Sequence, residues 1–307
     1  EGERSPSPQK IKFLLGMVEL MVKEEETERL PKLARVEIER AIEQVYETCS
    51  APRLSSLRDI LLAHPEKEIA ALGKVLGPWC GNTLYGRFLD RPTTVELKRD
   101  IIAFDLKGLE QYPDLQSICF YLITDLVWRE VQREPARMKF LVFDECWKLL
   151  KKAGVGIDFI EEVFRTFRKY RASAIAICQA ISDFLNSKIS SALLSTCSLK
   201  WILPQSQAEF LRMKEALGLN DNELQLIQSL RQKKGEYSEA FLIAGQDART
   251  VVVIEPTPLE LWIATTDPKD LAAVEDFKMA NPDASPLETL KELSAKYPNG
   301  VSGGKAA

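Results

Sequence analysis

Near residue 95 the spacing of apolar residues changes, and no other feature of the chain limits its fold as much. Residues 10 to 90 place apolar side chains at helical intervals, as in Leu33, Val36, Ile38, Ile42, Val45 and Tyr46 set among Glu, Arg and Lys. Helix-ending chemistry divides this stretch at Ser50-Ala-Pro52, at His64-Pro65 and at Gly77-Pro-Trp-Cys-Gly81. Beyond residue 95, short apolar runs alternate with longer amphipathic segments, the pattern of βα units and a largely parallel sheet. An α/β fold with an all-helical subdomain follows.

The runs predict strands at Ile101–Leu106, Lys139–Phe143, Ala174–Cys178 and Lys200–Leu203. A hairpin is predicted from Tyr237–Ile243 and Thr250–Ile254, turning at Gly245-Gln-Asp-Ala248. Helices are predicted over Leu115–Gln132, Ile157–Tyr170, Ala208–Leu217 and Asp221–Leu230. Past Thr266, two short helical patterns flank Asn281-Pro-Asp283. The expected domains are a helical subdomain over 1–94, a core over 95–266, and a helical appendage with a flexible tail over 267–307.

The 307 residues are 45% hydrophobic and 28% charged, enough for one substantial core and a smaller satellite. No apolar run approaches the roughly 18 residues that span a bilayer, so no transmembrane segment is expected and the cytoplasm is the expected compartment. Six cysteines form no CxxC pair and His64 is the single histidine, which argues for reduced thiols over a zinc site. The net charge of −4 gives no global pull toward nucleic acid, so DNA contact would need a local basic patch. The chain opens at Glu1 without methionine and closes on a Gly-rich tail, and both ends are expected to be cuts in a longer protein.

Phe140-Leu-Val-Phe-Asp144-Glu145 places two carboxylates at the end of a predicted strand, where open α/β sheets bind ligands. Such a Walker B shape suits phosphate chemistry. Asp144 would hold Mg2+ through its water shell, and Glu145 would orient the attacking water. An Asp N-cap followed by an acid near a helix dipole would give the same string. The next predicted strand, however, runs into Gln179, an amide able to donate to phosphate and accept from water. Between the strands, Phe164-Arg-Thr-Phe-Arg-Lys-Tyr-Arg171 is a basic helix end in which Arg165 and Arg168 share a face. Such arginines also favour helix C-termini for the dipole alone. Arg231-Gln-Lys-Lys234, before Gly235, is expected to be a solvated turn.

Phe143-Asp-Glu-Cys-Trp-Lys-Leu-Leu150, Arg168-Lys-Tyr-Arg171 and Cys178-Gln-Ala-Ile-Ser-Asp183 together resemble the TraC-like conjugative type IV secretion ATPases, related to the HerA and FtsK motors. Ile102-Ala-Phe-Asp-Leu-Lys-Gly-Leu109 and Leu261-Trp-Ile-Ala-Thr-Thr-Asp-Pro268 extend the resemblance over most of the chain. It implies a RecA-like P-loop NTPase core with an inserted helical subdomain, ATP and Mg2+ as ligands, and a homo-oligomer, a hexamer. It also implies work with secretion-channel proteins at the cytoplasmic face of the inner membrane. In those terms Asp144 and Glu145 are the Walker B pair and Gln179 the sensor. Arg168 or Arg171 are then candidates for contact between subunits.

No G-x-x-x-x-G-K-[ST] phosphate-binding loop occurs in the chain. The nearest string, Gly300-Val-Ser-Gly-Gly-Lys305-Ala306, is one residue short and has Ala where the Mg2+-binding hydroxyl belongs. It is expected to be tail. In the family the loop precedes the helical subdomain, so the chain alone is expected to be inactive. A DNA-pumping motor of the HerA and FtsK type and a non-hydrolysing docking module are the alternative readings.

Overall fold

The computed structural model describes residues 6–23, 30–94, 99–145, 155–185, 190–245 and 248–302, and the chain divides into two units, 1–177 and 178–307. The first unit begins with α1 (Pro8–Val22), α2 (Lys32–Thr48), α3 (Leu54–Leu62), α4 (Lys67–Val75) and α5 (Gly86–Leu89). Each long helix ends at the predicted breakers: α2 before Ser50-Ala-Pro52, α3 before His64-Pro65 and α4 before Gly77-Pro78. Ser7 caps α1 by accepting the Lys10 N–H at 3.2 Å, with Pro8 at the first helical position. The buried faces follow the helical period: Leu15, Val18 and Val22 on α1, and Ala34, Ile38, Ala41, Ile42 and Val45 on α2. Trp79 fills the same core and donates its indole N–H to the Met21 carbonyl at 3.2 Å.

Asp90 closes this helical core. It is 6% exposed, and its carboxylate accepts N–H groups from Gly81 at 2.7 Å and Ser55 at 3.3 Å, while Arg53 donates to its carbonyl. The helix α6 (Pro113–Arg133) completes the core through Leu115 and Ile118. Its approach to α1 is set by Gly16, whose missing side chain leaves room for the Tyr121 hydroxyl. Tyr121 stacks on Phe13 at 4.9 Å and donates to the Phe13 carbonyl at 3.1 Å. Burial pushes the Tyr121 phenol up to about 12, so it remains a donor.

The far half of α6 packs on a βαβ element: β1 (Lys139–Phe143), α7 (Val155–Thr166), a 3-10 turn over Phe167–Tyr170, and β2 (Ala172–Ala176). The strands β1 and β2 pair in parallel, with Phe140 opposite Ser173 and Phe143 opposite Ala176. Phe143 and Ala172 on the strands, and Ile160, Val163 and Phe167 on the helical segment, are buried. Trp128 of α6 stacks on Phe167 at 5.5 Å. Lys139 closes the C-terminus of α6 by donating to the Val131 carbonyl at 3.0 Å and to that of Glu134. On the other face of the sheet, Phe140 and Val142 are 65% and 51% exposed.

Two strand expectations need correction. Ile101–Leu106 forms no strand: Ile101 is 89% exposed, and Asp105 turns the chain by accepting the Lys107 N–H at 2.8 Å. An extended run without a hydrogen-bonded neighbour is not a strand. The strand predicted at Lys200–Leu203 exists as β3 (Leu199–Ile202), but it pairs antiparallel, so parallel pairing among the described residues is confined to β1 and β2.

The second unit opens with α8 (Ile181–Leu185), α9 (Ser190–Thr196) and β3. It continues with α10 (Phe210–Leu217), α11 (Asp221–Ser229), β4 (Gln232–Lys233), β5 (Tyr237–Ala244) and β6 (Ala248–Ile254). The strand β5 pairs antiparallel with β3, β4 and β6, and its Phe241 and Ile243 form a core with Ile202, Met213 and Ile227. The solvated turn expected over Arg231–Lys234 is displaced: Gln232 and Lys233 form β4, the turn covers 234–236, and Lys233 and Lys234 pair with Glu236 and Asp267.

The chain ends in α12 (Pro258–Ala264), α13 (Pro268–Ala280) and α14 (Pro286–Lys296). Thr257-Pro-Leu-Glu260 and Ser285-Pro-Leu-Glu288 build the same capping box ahead of α12 and α14. The start of the expected flexible tail is instead held in place. Asp270, 3% exposed, accepts the Val301 N–H and the Thr265 hydroxyl, each at 2.7 Å. Gly300 turns there with φ 78°, a conformation that strains other residues, and a side chain would crowd the Asp270 carboxylate. Lys305 and Ala306 lie outside the described residues.

Candidate functional site

The Phe143 carbonyl accepts the Ile177 N–H at 3.0 Å, carrying the parallel ladder to the C-terminal end of β1, where the chain turns. The turn is Asp144-Glu145. Glu145 is left-handed at φ 48°, a conformation that costs a non-glycine residue about 1–2 kcal/mol. The Asp144 Oδ1, accepting the Glu145 N–H at 3.0 Å, helps to hold it there. Backbone strain of this kind concentrates at functional positions. Asp144 is exposed, and its second oxygen has no hydrogen-bond partner among the described residues. Both acids line a cleft of about 1200 Å³ between the 99–107 segment, α6 and β1, with Asp105 and Lys107 also in its wall. Cys146 to Leu150, the rest of the motif, lie outside the described residues.

The arginines stand at the opposite end of the sheet. Arg171, at φ 51°, ends the 3-10 turn with its N–H on the Arg168 carbonyl, and its own carbonyl accepts the Lys139 N–H at 3.1 Å. It therefore meets the N-terminal ends of β1 and β2. The carboxylates meet the C-terminal end of β1, about 16 Å away by strand rise. Within this unit Arg168 and Arg171 do not join Asp144 and Glu145. Arg165 is paired with Glu161 at 2.7 Å, whereas Arg168 is exposed and has no ion pair among the described residues.

Because Arg171 carries a left-handed backbone, Arg171→Gly should raise stability by about 0.5–1 kcal/mol. Glycine chain entropy offsets part of the relieved strain. Urea unfolding of the chain measures this, and a loss of stability instead would mean that the Arg171 side chain is what the turn requires.

Gln179 belongs to the second unit and is exposed, in a segment whose backbone is tied down. The Ala180 carbonyl accepts the Asp183 N–H and the Cys178 thiol, each at 3.2 Å. Burial, with Asp183 nearby, pushes that thiol up to about 12, which keeps it protonated and a poor nucleophile. Ser182 donates both its N–H, at 3.0 Å, and its hydroxyl, at 3.1 Å, to Glu209, a carboxylate only 8% exposed. Sequence reading missed Glu209. Its signal, an acid opening the helical run after Ser206, is that of an ordinary helix start.

The profile of the TraG P-loop domain family matches residues 27–295. Protein TraC of Escherichia coli (strain K12) is 27% identical over 249 residues, covering 73% of this chain. Among solved structures, VirB4 of Thermoanaerobacter pseudethanolicus superposes with a TM-score of 0.65 at 22% identity, covering 84% of this chain and 71% of that one. That likeness carries the fold. The chain spans 28% of the length of the curated relative.

Proposed function

Since the chain belongs to the TraG P-loop domain family, we propose that it forms the water-activating part of a motor ATPase of conjugative type IV secretion. One observation carries this reading: an adjacent carboxylate pair, one member strained, at the C-terminal end of a parallel strand and open to a cleft.

The donor set suits Mg2+ held through water. Magnesium keeps several of its waters, and Asp144 offers an exposed oxygen with no partner among the described residues. When bound, the ion neutralises charge on the phosphate oxygens. Glu145 orients the attacking water and accepts its proton. Gln179 donates to phosphate, and Arg168 or Arg171, remote from their own carboxylates, reach a neighbour in a hexamer.

The phosphates themselves need backbone amides and a lysine that these 307 residues do not supply. In this reading that loop comes from preceding sequence of a longer polypeptide, and the chain alone binds nucleotide weakly. The open apolar face at Phe140 and Val142 supports the same reading, since parallel sheets are covered on both sides. No helix among the described residues is long and apolar enough to cross a membrane. Work at the cytoplasmic face of the inner membrane, against channel proteins, is part of the proposal.

The test is steady-state ATP turnover by the longer protein and by this chain alone. Turnover is expected only in the former. Asp144→Asn in the longer protein should raise the Mg2+ concentration for half-maximal turnover roughly 10- to 100-fold. Turnover stimulated by DNA and steeply salt-dependent would transfer the reading to a DNA-pumping motor. No turnover despite an intact loop would leave a docking module.

A further inference from the structure

We propose that Lys107 is a further catalytic residue of the hydrolytic site, its ammonium meeting the phosphoryl group as it is transferred. The inference rests on the reading of Asp144 and Glu145 as the water-activating pair. Lys107 follows a run free of turns from Ile102 to Leu106 and lines the same cleft as both acids. Contacts at either end of this run bring it to the acid end of β1. Arg137, just ahead of β1, pairs with Asp100, so the segment and the strand set out together. At the far end, Phe120 of α6 and Phe143 of β1 each meet the ring of Phe159 edge to face at 6.3 Å, which sets the first turns of α6 beside Asp144. Gln116, one turn before Phe120, donates its amide to the Leu106 carbonyl at 3.4 Å. Lys107 is the next residue.

Charge singles it out among the cations of the cleft wall. Arg133 pairs with Glu130 and Glu134, Arg137 pairs with Asp100, and the Lys139 amine donates to backbone carbonyls. Lys107 is exposed and has no ion pair among the described residues. Arg99 also has none, but it stands beside Asp100, away from the acids. Asp105, Asp144 and Glu145 make the Lys107 end of the cleft acidic, so a phosphoryl group brought there needs a cation. Lysine is a compact point charge on a flexible stem and suits that task. In the step, the water oxygen bonds to the γ-phosphorus while the bond from that phosphorus to the bridging oxygen of ADP breaks, and Glu145 takes the water proton. Lys107 keeps its own protons and balances charge on the phosphoryl oxygens. It adds to the lysine of the phosphate loop and does not replace it.

The experiment compares Lys107→Met, Lys107→Arg, Arg99→Ala and Glu145→Gln in the longer protein, measuring kcat and the affinities for ADP and for ADP with vanadate, a mimic of the transferred group. Lys107→Met should lower kcat roughly 10- to 100-fold, less than a buried oxyanion donor because Lys107 is exposed. Affinity for ADP with vanadate should fall by about the same factor, and affinity for ADP alone by less than about twofold. Lys107→Arg keeps the charge and should recover most of the loss, and Arg99→Ala should turn over at the wild-type rate. Wild-type kcat in Lys107→Met overturns the proposal. So does a loss that ADP affinity shares in full, that Arg99→Ala matches, or that Lys107→Arg leaves unrelieved. Unchanged turnover in Glu145→Gln overturns the hydrolytic reading and this proposal with it, whereas slow turnover there beside wild-type turnover in Lys107→Met overturns this proposal alone.

Discussion

ATP turnover by the longer protein should fall roughly 10²- to 10⁴-fold on Glu145→Gln, the range expected when a general base is removed. The substitution keeps side-chain length and the left-handed backbone at φ 48°, together with the bond from its N–H to Asp144. What it removes is the charge that accepts a proton from water. Nucleotide affinity should stay within a few-fold, because the phosphates are held elsewhere, so the loss should appear in kcat and not in binding. Equilibrium binding measured beside turnover separates the two. Hydrolysis at the wild-type rate would remove Glu145 from the mechanism.

The second large effect is on stability. Asp90→Ala should destabilise this chain by about 2–4 kcal/mol, because it leaves the N–H groups of Gly81 and Ser55 without their acceptor in a buried position, each at a penalty of about 1–3 kcal/mol. Burial pulls the Asp90 carboxyl upward, but the N–H bonds from Gly81 and Ser55 outweigh it and hold the group below the ordinary carboxylate range. A depressed acid contributes stability that is complete above its unfolded pKa and is lost as pH falls through its folded one. The difference between wild type and Asp90→Ala should therefore be full at neutral pH and shrink in acid. Urea unfolding across that range checks both statements, and a neutral-pH loss below about 1 kcal/mol would show that water replaces the carboxylate.

The strand that carries the two acids was legible in local sequence. Phe140 to Glu145 announced a strand ending in two acids, and the strand and its polar end are where the apolar run placed them. The next run was placed less closely: β2 is Ala172–Ala176, so the strand ends before Ile177 and Cys178 and Gln179 does not close it. Glu209 was not legible, because its partner Ser182 lies 27 residues away and nothing local marks an acid as buried. The left-handed turn at Glu145 was also hidden, since glycine is the residue that ordinarily advertises it.

By itself, the sequence determined what depends on neighbours along the chain. The limits of α2, α3 and α4 at their Pro and Gly breakers, the Ser-Pro and Thr-Pro capping boxes, and the β5–β6 hairpin all follow from interactions within a few residues. Only the tertiary structure decided what depends on a partner far away. Ile101–Leu106 has the pattern of a strand but no paired neighbour, and β3 took its direction from β5. The parallel pairing of β1 with β2 carried Arg168 and Arg171 to the end of the sheet opposite Asp144 and Glu145. Helix ends and tight turns are set by bonds three or four residues apart, whereas strands, buried acids and sites are completed by bonds whose two ends the sequence does not bring together.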